Sequence, residues 1–100
     1  MIIAIVKAKI QNGKEKELRE IANILQFKYS ICEDGCEQYE SFIDNDTFIT
    51  IERWNNQENL DIHLETDHVK KYVPLMRQCV ENETFDVQFI KSDDMSFVTI

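Results

Sequence analysis

The chain has 100 residues, 43% of them hydrophobic and 30% charged, which is the size and make-up of one globular domain rather than of a disordered segment. Its 11 Lys and Arg stand against 19 Asp and Glu, a net charge of −8, and the local basic groups (Lys7/Lys9, Lys14/Lys16, Lys70/Lys71) are each diluted by acids. Nucleic acid and anionic membrane surfaces are therefore not expected partners, and no apolar run approaches the ~18–20 residues of a membrane span.

Residues 2–10 read as a first strand, with Ile2, Ala4, Val6, Ala8 and Ile10 on one face and Ile3 and Ile5 on the other. The segment has no basic leader and is too short for a signal peptide. With three cysteines, an odd number, the expectation is a cytoplasmic protein with reduced thiols. Asn12-Gly13 breaks the strand, and Asn12 with Glu15 has the spacing of a capping box. Leu18, Ile21, Ala22, Leu25, Tyr29 and Cys32 then follow helical spacing, with Ile24, Phe27 and Ile31 widening the stripe. Gly35 offers a left-handed stop.

Cys36–Ile43 reads as a strand, Asp44-Asn45-Asp46 as a hairpin turn, and Thr47–Trp54 as the strongest strand. Phe48, Thr50, Glu52 and Trp54 share one face of it, and Ile49, Ile51 and Arg53 the other. Asn55 with Glu58 predicts a second cap, before a helix over 57–65. Thr66-Asp67 interrupts that helix and caps another, striped by Val69, Tyr72, Val73, Met76 and Val80, in which Pro74 predicts a kink or a late start. Thr84–Lys91 closes the pattern, with Phe85, Val87 and Phe89 alternating.

The order β-α-β-β-α-β predicts an α+β, ferredoxin-like fold, an antiparallel sheet with helices on one face. Strands one and three nonetheless carry large apolar groups on both faces. A second copy of the chain is the simplest cover, so a homodimer is expected. The domain occupies 1–91. The tail, 92–100, is expected to pack on the partner through Phe97, Val98 and Ile100.

The chain lacks a phosphate-binding loop, a dinucleotide fingerprint, a zinc-protease helix motif and a nucleophile elbow. His63 shares the inward face of its short helix with Leu60, and two readings stay open: a hydrogen-bonded core histidine, or a general base in a pocket. Glu52 lies between Phe48 and Trp54, where burial would raise its pKa, although a pairing with a lysine is equally open. Tyr72 lies on the inner stripe of its helix and Tyr39 projects from the second strand, and both suit core or site. His68 follows His63 by five residues, about 140° around a continuous helix, which is poor for joint metal ligation. Only the break at Thr66-Asp67 could bring the two together. No third ligand is spaced for a metal, so none is expected.

Three pieces occur in order: Glu33-x-Gly35-Cys36-x-x-Tyr39, Phe48-x-x-x-Glu52-x-Trp54, and Leu60-x-x-His63-x-x-Thr66-x-His68. Over about residues 1–90 this set resembles the antibiotic biosynthesis monooxygenase domain family. The resemblance implies a dimeric α/β-barrel of ferredoxin-like protomers. It also implies a cofactor-independent monooxygenase acting with dioxygen on a small aromatic quinol or phenol. In that reading His63, Glu52 and Tyr72 are catalytic, and Trp54, Phe48, His68 and Tyr39 form the substrate pocket. The same family includes isomerases of a small sugar, haem-degrading members and proteins without known activity. An isomerase of a small hydroxy-ketone and a non-catalytic ligand-binding dimer are therefore the alternatives. The haem-degrading branch fits least, because its first-strand Asn is replaced here by Ile5-Val6-Lys7.

Overall fold

Alternating and helical apolar spacings fold into the expected order. The computed structural model describes residues 1–100. It contains β1 (Ile2–Lys9), α1 (Glu15–Asn23), β2 (Cys36–Asp44), β3 (Thr47–Trp54), α2 (Gln57–Leu64), α3 (Asp67–Arg77) and β4 (Asp86–Lys91). The strands form one open antiparallel sheet in the order β2-β3-β1-β4, an α+β ferredoxin-like fold. No helix is long and apolar enough to cross a membrane.

The period of two decides β3. Phe48, Thr50, Glu52 and Trp54 are all buried beneath the helices, whereas Ile49, Ile51 and Arg53 are half-buried on the opposite face. Trp54 and Phe48 have no exposed surface, and each contributes ~1.5–3 kcal/mol of apolar burial. They join Leu18, Leu25, Leu60 and Val80 in the core. On the far face Ile3, Ile5, Ile49 and Ile51 are half-buried, while Phe42 is exposed. The guanidinium of Arg53 lies over the Phe97 ring at 5.1 Å, so the tail crosses this face.

Several local expectations are corrected. Asn12 does not cap α1. Gly13 takes a left-handed turn (φ 84°), and Lys14 occupies the cap position without a side-chain bond. The Asn55 cap shifts by one residue: Asn56 Oδ1 accepts the Asn59 N–H at 2.9 Å. Thr66 caps α3 as expected, accepting from the Val69 amide, and Pro74 is accommodated inside α3.

The largest departure follows α1. Over Ile24–Tyr29 the helix widens into a π-helical segment, then tightens into a 3₁₀ turn at Ser30–Cys32. The inserted residue rotates the apolar stripe. Leu25 and Gln26 are buried, and Ile24, Phe27, Ile31 and Cys32 face outward. Gln26 is held inside because its Oε1 accepts the Ser41 N–H of edge strand β2 at 3.1 Å.

Candidate active site

His63 is placed by the end of α2. The Thr66 hydroxyl donates to the His63 carbonyl at 2.7 Å, closing α2, and the same side chain starts α3. The resulting bend brings the His63 and His68 rings to 6.3 Å between centroids. The 140° separation of a continuous helix therefore does not apply.

Glu33 comes from the loop before β2. Gly35 takes φ 76° there, and a Cβ at that position would run into the Asn59 side chain of α2. This close approach of loop to helix sets Glu33 against His63. Glu33 Oε2 lies 2.7 Å from His63 Nδ1 and 3.2 Å from His68 Nε2. The second contact lacks hydrogen-bond geometry, and the buried Nε2 of His68 has no hydrogen-bond partner. The Tyr29 ring stacks on His68 at 4.6 Å and 11°.

From the opposite side, Glu52 on β3 approaches His63 Nε2 to 3.9 Å. Its Oε1 accepts the indole N–H of Trp54 at 3.0 Å, and the Trp54 ring lies 4.4 Å from the His63 ring. When the Glu33 carboxylate accepts from Nδ1–H, the proton of the neutral ring sits on Nδ1. Nε2 is then left with its lone pair.

Burial is the main influence on the titration of these groups. It lowers His63 from its ordinary value, against the hydrogen bond and charge of Glu33 and with the help of His68. It raises Glu52 to about 7, opposed by the Trp54 hydrogen bond and reinforced by the charge of Glu33. The Tyr39 phenol is pushed well above its usual range by burial and by Glu52, against a favourable Ser30 hydroxyl. The Cys36 thiol rises to about 11 through burial, Glu33 and Glu52, which leaves it a poor nucleophile.

A cavity of about 500 Å³ opens between the inner sheet face and the helices. Its walls are mainly apolar, with Val87 and Phe89 of β4 on one side and Lys70 and Arg77 of α3 on another. Among the sequence-predicted residues, His63, Glu52, Phe48 and Tyr39 line it. Trp54, Tyr72 and His68 do not. Trp54 lies behind Glu52 and His63 as a support. Tyr72 lies 5.9 Å from Tyr29, in the aromatic layer that backs His68.

Glu33 is the residue of this candidate site that sequence reasoning passed over. It stood in the motif two positions before Gly35, yet helix periodicity gives no hint that a loop carboxylate reaches His63. It also supplies the third donor that the metal argument lacked. One ligand atom each from Glu33, His63 and His68 lie within 4.8 Å of one another.

Fold and site together define a ferredoxin-like protein with a histidine and a carboxylate, His63 and Glu52, at the wall of an apolar pocket and a second carboxylate, Glu33, against that histidine. The chain belongs to the antibiotic biosynthesis monooxygenase family, whose profile matches residues 1–75. One similar solved structure, described as an antibiotic biosynthesis monooxygenase, is 25% identical with a TM-score of 0.84, covering 94% of this chain and 100% of that one. A conserved Bacteroides thetaiotaomicron VPI-5482 protein of unknown function is 26% identical with a TM-score of 0.80, covering 89% of this chain and 94% of its own. A conserved Methanosarcina mazei Go1 protein shares the fold at 21% identity and a TM-score of 0.85, with 92% of each chain covered. No curated protein matches the sequence.

Proposed function

We propose that the protein is a cofactor-independent monooxygenase that oxidises a small aromatic quinol or phenol with dioxygen, and that His63 is its base. One observation carries the reading: His63 lines a mainly apolar cavity with its Nδ1 anchored 2.7 Å from Glu33, which leaves Nε2, on the side of the cavity-lining Glu52, as the free nitrogen. A base held this way is neutral and ready to accept a proton. Deprotonation of the hydroxyl makes the aromatic ring electron-rich enough to reduce dioxygen itself. All four electrons come from the substrate. One oxygen atom enters the product, and the other leaves as water with two protons. His63 takes the first proton, and Glu52, 3.9 Å from its Nε2 and raised to about 7, relays it once the two close to hydrogen-bond distance. Phe48, Val87 and Phe89 give the site apolar walls, which disfavour exchange with water once the open side of the cavity is covered by substrate or by a second copy of the chain.

The protomer's uncovered sheet face supports a homodimer. The four half-buried isoleucines Ile3, Ile5, Ile49 and Ile51, with exposed Phe42, make a self-complementary apolar surface, and two open sheets facing each other give the dimeric barrel. The tail, already laid over Arg53, would be shared with the partner.

A second reading has an observation of its own. Lys70 and Arg77 line the cavity, and a small phosphorylated hydroxy-ketone would find in them the cations for its phosphate. His63 and Glu52 would then shuttle a proton for isomerisation. The deciding experiment is dioxygen uptake by metal-stripped protein given menadiol, corrected for autoxidation, beside His63→Ala. The oxygenase reading expects enzyme-dependent uptake that is lost in the variant while the dimer persists. Uptake equal in both proteins refutes the assignment of the base. No uptake above background removes this substrate class and favours the isomerase.

A further inference from the structure

We propose that Glu33, His63 and His68 form a binding site for a divalent first-row transition ion of the zinc class, and that the seated ion withdraws His63 from proton transfer. Two imidazoles and one carboxylate are a donor set that such ions take readily. The donor atoms already converge. Glu33 Oε2 is 2.7 Å from His63 Nδ1 and 3.2 Å from His68 Nε2. Ligands of a tetrahedral zinc, at bonds of ~2.0–2.2 Å, stand roughly 3.4 Å apart, and all three atoms here already lie within 4.8 Å of one another, so side-chain adjustments on the order of 1 Å complete the set. Three protein ligands leave a fourth position for water.

Two further features point to a ligand here. His68 Nε2 is buried, directed at the cluster, and without a hydrogen-bond partner. A bound ion would give that nitrogen the partner it lacks. The surroundings also have the form of an outer shell. An ion on Nδ1 of His63 leaves the ring proton on Nε2, which faces Glu52 Oε1 at 3.9 Å. A ligating histidine whose other N–H is directed at a carboxylate is the usual support of such ions. Tyr29, stacked on His68, fixes the orientation of the second ring.

The consequence for His63 follows from the tautomer. Without the ion, the proton is on Nδ1 and Nε2 is the free base. With it, the ion takes Nδ1, the proton moves to Nε2, and the cavity side of the ring can no longer accept one. This second half rests on the reading of His63 as the base; the first half does not.

The test is a cobalt(II) titration of the metal-stripped full chain, read by visible absorption and by emission of Trp54. That residue is the only tryptophan, and its ring is 4.4 Å from His63, where a paramagnetic ion quenches it. One equivalent per chain should quench the emission and give d–d bands, and zinc should reverse the quenching. His68→Ala and Glu33→Gln, each checked for folding by circular dichroism, should bind roughly tenfold more weakly or worse. His68→Gln serves if the alanine variant unfolds. Absence of quenching, equal quenching in all variants, or thiolate charge-transfer bands would overturn the site. For the second half, zinc should abolish menadiol-dependent uptake in the wild type, with a midpoint at least roughly tenfold higher in His68→Gln. The same zinc dependence in both proteins would overturn it. Because cobalt binding is read without substrate, failure of the site and failure of the oxygenase reading are separately visible.

Discussion

Glu52→Gln should make the protein more stable at alkaline pH, and the size of the gain follows from the burial of this carboxyl. Glu52 rises from its ordinary 4.5 to about 7, chiefly by desolvation. Between those two values the native state holds a proton that the unfolded chain gives up. Stability therefore falls as pH rises across that window. At ~1.4 kcal/mol per pH unit, the ionised carboxylate costs about 3 kcal/mol above pH 7. Glutamine keeps an oxygen to accept the Trp54 N–H and cannot ionise. Relative to wild type, Glu52→Gln should match within error below pH 4.5 and gain about 3 kcal/mol at pH 8. The lowered pKa of His63 acts in the opposite sense, weakening the native state as pH falls below the ordinary histidine value, but it contributes to both proteins and cancels in the difference. Urea unfolding of metal-free protein, followed by Trp54 emission at one fixed chain concentration, gives the comparison directly. Parallel pH profiles, or a wild type that is the more stable at pH 8, would refute the desolvation argument.

Other substitutions probe the supports of the site. Trp54→Phe removes the N–H that holds the charged form of Glu52, so the carboxyl should titrate at still higher pH in a carbon-detected NMR titration. Gly35→Ala should cost about 2 kcal/mol or more in urea unfolding, because alanine resists φ 76° and its Cβ meets Asn59. Replacing Asn59 by glycine in the same chain should recover only the steric part. If the chain pairs through its uncovered sheet face as proposed, deleting residues 92–100 should raise the dissociation constant of that dimer in analytical ultracentrifugation, since the tail lies over this face at Arg53. An unchanged dimer would show that the tail serves its own protomer.

The period of two and the two helical stripes made the architecture readable before any coordinate. Phe48, Thr50, Glu52 and Trp54 share the buried face that alternation assigns them. The helix after β1 was less readable, because a π-helical insertion depends on a tertiary event, the hold of buried Gln26 on the edge of β2. The same limit applies to the site. His63 and Glu52 could be placed on inward faces from local spacing alone. Their meeting with Glu33 depends on a left-handed glycine pressed against a different helix, which no periodicity encodes. Trp54 and Tyr72 illustrate the converse. Their spacing assigns them inward faces, yet both pack behind the cavity wall rather than on it. A face is set by the local period, but position along that face is set by what packs above it.

The central claim is that Glu33 holds the Nδ1 proton of His63 so that Nε2 is a free base at the cavity. Long-range proton–nitrogen correlation spectra of metal-free protein at pH 7 read this tautomer without any substrate. The account predicts a protonated Nδ1 and an unprotonated Nε2 for His63, with that preference weakened in Glu33→Gln. A His63 ring that carries its proton on Nε2, or on both nitrogens, would contradict it.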